Sequence, residues 1–171
     1  YVRQGYSSVP ATDAAIRRMI KETDGDHFEA MRSLNQNLTF YATTEEFQLR
    51  NVEFGPQQMR SLKLIDSDGL YTNLALLLSD QCVHSIKEAV FQGKDQTIFK
   101  DRREFSGSLM KQMHEVYDFI DFRNQTRATV EKLLRVDVRD YPEIAIREAL
   151  LNLLVHREYS FSASALISLY K

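Results

Sequence analysis

Tyr141-Pro142-Glu143-Ile144-Ala145-Ile146-Arg147-Glu148-Ala149-Leu150-Leu151-Asn152-Leu153-Leu154-Val155-His156 is the stretch on which the reading of the whole chain turns. Pro142 suits the first turn of a helix, where a missing N–H leaves no bond unmade. Between Ala149 and Val155 only Asn152 is not apolar, so the helix is expected to be buried nearly all round. Yet Glu148, Asn152 and His156 recur every fourth residue, which puts a carboxylate, an amide and an imidazole on one face. Burying such groups without partners costs about 1–3 kcal/mol each, and more for a charged carboxylate. Two explanations compete. An internal network or an uncovered chain end satisfies the stripe, or it lines a site. In such a site Glu148 holds or activates water, and Asn152 offers its amide oxygen to a hydrated Mg²⁺ beside phosphates.

Upstream of this helix, Arg127 to Arg139 alternates clearly, with Ala128, Val130, Leu134, Val136 and Val138 on one side, and predicts one long half-buried strand. Before it, Ser108 starts a helix to about Phe122, where Leu109, Met113, Val116, Tyr117 and Ile120 recur at helical spacing. His114 falls on its polar side and reads as a surface histidine, since no second ligand stands at metal spacing. Ser85 to Phe91 and Thr97 to Phe105, joined through Gln92-Gly93-Lys94-Asp95, predict a hairpin. A fourth strand is expected from Ala163. These strands are expected to form an antiparallel or mixed sheet, covered on one face by the helices from Ser108 and Pro142.

Further out, Thr44 to about Asn51 and Pro56 to Leu64 read as short helices, followed by the turn Asp66-Ser67-Asp68-Gly69. After an extended Leu70 to Thr72, Asn73 is expected to cap an apolar helix to Ser79. Helix, turn, helix, hairpin is the order of a winged-helix unit. In such a unit Gln57, Gln58, Arg60 and Lys63 would form the exposed side of a base-reading helix. Arg50, Arg60 and Lys63 are offset between Thr44 and Ile65 by Glu45, Glu46 and Glu53, which argues equally for a spacer. At the front, Tyr1 to Gly5 reads as the end of a strand, and Thr12 as the cap of a helix from Asp13 to about Glu22. That helix sets Arg17, Arg18 and Lys21 apart from its apolar side, either as a phosphate-facing cluster or as a solvated face.

The composition sets limits on these readings. With 171 residues, 43% of them hydrophobic and 27% charged, the chain can bury a core, and neither wholesale disorder nor a disulfide scaffold is expected. The net charge of -2 leaves no global basic coat, so any DNA contact must be local. Cys82 is the only cysteine, which fits a reducing, cytoplasmic setting. No apolar run approaches the roughly 20 residues of a membrane span. Because Tyr1 opens within one strand and Lys171 follows another, the chain reads as a piece of a longer one.

Glu148-Ala149-Leu150-Leu151-Asn152-Leu153-Leu154-Val155-His156-Arg157-Glu158-Tyr159-Ser160 resembles a signature of a bacterial family of transcriptional-regulator-like proteins related to the RecG helicase. In that family a Schlafen-type AlbA DNA-binding domain precedes a histidine-kinase-like, or GHKL, ATPase domain. Tyr1-Val2-Arg3-Gln4-Gly5-Tyr6-Ser7-Ser8 is similar to the strand that closes the AlbA-type domain. Leu70-Tyr71-Thr72-Asn73-Leu74-Ala75-Leu76-Leu77-Leu78-Ser79 is similar to the family's middle segment.

The resemblance implies an α+β fold in three parts. Residues 1–22 would be the end of an AlbA-type domain, 23–80 a winged-helix-like helical section, and 81–171 the N-terminal half of a GHKL-like layer. It implies that Glu148 polarises the attacking water, that Asn152 ligates Mg²⁺ and contacts nucleotide together with His156, and that ATP and Mg²⁺ are cofactors of the parent protein. Val155 stands where GHKL enzymes commonly carry Asp or Lys. The family's adenine-gripping glycine loop would lie beyond Lys171, so this chain alone is expected to bind ATP poorly or not at all and to be inactive by itself.

The expected function is therefore part of an ATP-responsive, DNA-binding transcriptional regulator. Arg17, Arg18, Lys21, Arg60 and Lys63 are its candidate nucleic-acid contacts. The alternative is a non-enzymatic structural or interaction module with a degenerate GHKL-like layer. A membrane partner is not expected, and self-association is left open.

Overall fold

The computed structural model describes residues 2–4, 7–12, 15, 16, 19, 27–131 and 134–170. The fold is α+β, with five α-helices and a three-stranded mixed sheet among these residues. Strands β1 (Val2–Gln4) and β2 (Ser7–Val9) pair antiparallel at the front. Thr12 caps the turn that follows, its Oγ1 accepting the Ala15 N–H at 3.2 Å.

A helical section comes next: a 3-10 turn at Phe28–Ala30, α1 (Tyr41–Leu49), α2 (Pro56–Ser61) and α3 (Asn73–Leu78). The start of α2 at Pro56 is as the sequence predicts, while other boundaries shift by a few residues. The residue before α1, Phe40, has no capping side chain. Asp80 supplies the cap from far along the chain, accepting the Tyr41 N–H at 2.9 Å and the Thr39 hydroxyl at 2.7 Å. Helix α2 stops short of Leu64 because Lys63 takes the left-handed conformation, φ 59°, which turns Leu64 into the core with no exposure. At α3 the cap is Thr72, whose Oγ1 accepts the Ala75 N–H, while the Asn73 amide donates to the Phe28 carbonyl at 2.9 Å. Leu38, Phe40, Leu64 and Ala75 form the core of this section.

The second layer holds β3 (Ile86–Gln92), β4 (Ile98–Phe105), α4 (Leu109–Arg123), α5 (Glu143–Val155) and the last strand, Ala165–Tyr170. Between α4 and α5 lie β5 (Thr126–Glu131) and β6 (Leu134–Arg139), so the last strand is β7. The sheet order is β4-β3-β7, antiparallel on one side of β3 and parallel on the other. The hairpin after the helical section thus belongs to this sheet. Ile86, Val90, Phe105 and Leu169 of the sheet pack with Val116, Phe119 and Ile120 of α4 and Ile146 and Leu150 of α5, so both helices cover one face. Leu77, Cys82, Leu109 and Tyr159 join this layer to the helical section.

The single long strand expected from Arg127 to Arg139 is a two-stranded antiparallel hairpin, separate from the main sheet. Glu131 pairs with Leu134, so the chain reverses across two residues without Gly, Pro or Asn to mark the turn. Each strand keeps its own alternation and no turn residue separates the two, which is why the sequence reads as continuous. Asn124 ties the base of the excursion. Its amide donates to the Tyr141 carbonyl at 2.7 Å and accepts the Tyr141 N–H at 2.9 Å, fixing the end of α4 to the start of α5.

Candidate functional site

Helix α5 is not buried all round as its sequence suggests. Only Ile146 and Leu150 are sealed among α4 and the sheet, whereas Ile144 and Val155 are each 71% exposed. The spacing argument survives this correction. Glu148, Asn152 and His156 are all exposed and follow one face of the helix, so no internal network holds the stripe. Glu148 forms an ion pair with its neighbour Arg147. His156 caps the C-terminus, its N–H donating to the Asn152 carbonyl at 3.0 Å.

The rest of the motif holds the fold rather than facing outward. Arg157 donates to the Ser85 carbonyl at 3.2 Å and to the Ala163 carbonyl at 2.7 Å, pinning the loop before β7 to the entrance of β3. Its guanidinium lies over the Tyr159 ring. Tyr159 is 4% exposed and donates to the Leu154 carbonyl at 2.8 Å, closing the end of α5, and burial pushes its phenol up to about 12. His84, edge-on to both Phe28 and Tyr159, is held below the ordinary imidazole value, first by burial and then by the charge of Arg157. Burial likewise pushes the Cys82 thiol up.

Of the nucleic-acid candidates, Arg17, Arg18 and Lys21 lie outside the described residues. Arg60 and Lys63 are exposed at the end of α2 and in the turn beyond it. Gln58, expected beside them as a base reader, uses its amide oxygen to accept the Gly55 N–H at 3.2 Å, and so serves as part of the helix cap. His114 is a surface residue, 53% exposed, with Nε2 2.6 Å from Glu46 Oε2.

Comparison with known proteins reaches the fold alone. No family model and no curated protein matches the chain. Among solved structures it is similar to the DIP2311 protein of Corynebacterium diphtheriae, with a TM-score of 0.70 at 18% identity. The match covers 97% of this chain and 35% of that one. The chain therefore spans about a third of that protein's length.

Two acids escaped the reading of the sequence. Glu88, in the middle of β3, is 1% exposed with neither carboxylate oxygen hydrogen-bonded. Burial pushes it up to about 8, with Arg123 pulling it down and Asp101 adding to the rise. Glu46 on α1 is also buried, and burial alone would raise its value. Hydrogen bonds from Arg50 and His114, with the charges of both, outweigh that and hold it below its ordinary value. Glu46 stands among polar neighbours that give no signal, whereas Glu88 alternates with Ile86 and Val90, a parity that marks its face of β3.

Proposed function

We propose that this chain carries the nucleotide-facing helix of a GHKL-like site within an ATP-responsive, DNA-binding transcriptional regulator of the bacterial cytoplasm. The observation that carries the reading is the exposed alignment of Glu148 and Asn152 on α5, open to a ligand. The donor set fits: Mg²⁺ keeps several waters and takes few protein oxygens beside substrate phosphates. Asn152 would offer its amide oxygen, Glu148 would hold and polarise a water, and His156 would meet the nucleotide from the end of the helix. Bound Mg²⁺ would neutralise phosphate charge. Arg60 and Lys63 are free to meet a DNA backbone, with Arg17, Arg18 and Lys21 as further contacts.

A second reading is favoured by the apolar neighbours of the stripe. Ile144 and Val155 stand out in water on the same helix, as on a protein-contact surface. That would make the layer a non-enzymatic interaction module, self-associating only if the face is self-complementary. Calorimetric titration of Mg-ATP into the longer parent chain separates the two. The nucleotide reading expects binding that Asn152→Ala abolishes, and unchanged affinity in that variant discards the role of Asn152. Hydrolysis lost in Glu148→Gln with binding retained would count against the interaction module.

A further inference from the structure

The side of α5 that turns toward the helical section takes part in a second feature, independent of the nucleotide reading. Among the described residues, α1, α3, α4 and α5 line an open-mouthed cavity of about 640 Å³. Its wall is apolar and comes from every side: Phe47 of α1, Leu74 and Leu78 of α3, Met110 and Met113 of α4, and Leu154 of α5. Leu77 and Leu109, 1% and 8% exposed, form its buried floor. These side chains pack on one another at the rear and leave their front without partner atoms. A concave, mostly apolar wall with few charged groups is the usual form of a small-molecule site.

The charged groups of the wall limit what can fill it. Glu46, with 8% of its side chain exposed, has one oxygen on Arg50 and the other 2.6 Å from His114 Nε2. The Tyr159 hydroxyl is spent on the Leu154 carbonyl. Glu29, half-buried at the wall, adds negative charge. An anionic head group would meet this acid and find no unspent cation, since Arg50 is held by Glu46. A cationic one would have to displace Arg50 from that pair or leave water for Glu29 alone. Arg50 also lines the neighbouring hollow over α4 and α5, as Met113 and Leu151 do, so an apolar helix laid across both would meet its guanidinium. The volume lies within the range of about 300–1,000 Å³ typical of small-molecule sites.

We infer that this cavity binds a neutral, apolar small molecule between the helical section and the α4–α5 layer. Its occupant touches Leu154 and Val155, the C-terminal turn of the helix that bears Glu148 and Asn152.

Fluorescence titration of the chain with N-phenyl-1-naphthylamine, a neutral aromatic probe, tests this. The expected result is saturable binding of one probe per chain. Val155→Trp, placed at the exposed mouth, and Met113→Trp, which fills the interior, should each weaken it about tenfold or more. Phe99→Ala, an exposed aromatic on β4 away from the cavity, should leave it unchanged. Should Met113→Trp lose its helical circular dichroism, Val155→Trp decides alone, because Val155 packs into no core. Non-saturable uptake, or wild-type affinity in Val155→Trp, overturns the site. Equal affinity for the anionic probe 8-anilino-1-naphthalenesulfonate overturns the neutral class.

Discussion

Glu88 on β3 and Glu148 on α5 carry the same carboxylate in opposite settings. Glu148 comes from the most apolar stretch of the chain and has 54% of its side chain in water. Glu88 comes from a strand that also bears Lys87, and it is 1% exposed beneath α4 and α5. The hydropathy of the surrounding sequence misleads at Glu148, whereas at Glu88 the alternation with Ile86 and Val90 decides the outcome. Burial on a helix depends on how many neighbouring elements reach it, and α5 is covered on one side by α4 and the sheet. Burial on a strand follows parity. Ile86, Glu88 and Val90 share one face of β3, and that is the face the helices cover.

The contrast within α5 gives the largest expected effect. Leu150→Ala, at a position 4% exposed, should cost about 2–5 kcal/mol in urea unfolding. Ile144→Ala, 71% exposed on the same helix, should stay within about 0.5 kcal/mol. Comparable losses from the two would mean that α5 is covered on both sides.

Glu88 should produce a smaller effect with a distinct pH signature. Below its ordinary value of 4.5 both the folded and unfolded chains keep the proton. As pH rises toward about 8 the unfolded carboxyl ionises while the buried one does not, so stability is highest at the acid end and falls across that window. The thermal midpoint should drop on the order of 5 °C or more between pH 5 and 8 from this group alone. Glu88→Gln should flatten that slope. A slope unaltered by the substitution would show that Glu88 finds a partner or water in solution.

Glu148→Gln should have the smallest effect on folding, within about 0.5 kcal/mol, since its ion pair with Arg147 lies in solvent. A loss above about 1 kcal/mol would place Glu148 in the structural network and remove it from the proposed site.

Much of the secondary structure could be read from side-chain spacing. The β3–β4 hairpin and the Ser108 cap of α4 stand where turn and cap residues place them. Three features resisted, because a distant partner or an unmarked turn leaves no local signal. Asp80 caps α1 across a gap of 39 residues to Tyr41, so no local signal marks the start of that helix. The reversal between β5 and β6 leaves the alternation intact on both sides. Arg157 and Tyr159 fall within the motif, yet their partners are carbonyls at Ser85, Ala163 and Leu154, and only folding brings the first of these near.

The order of apolar and polar residues by itself determined the fold class and the four-residue spacing that aligns Glu148, Asn152 and His156, because helical and strand periods are local properties of the backbone. Tertiary structure alone decided which faces are covered. It exposed that stripe, sealed Glu88, and opened a cavity among four helices, since coverage depends on which elements meet and how far each one reaches.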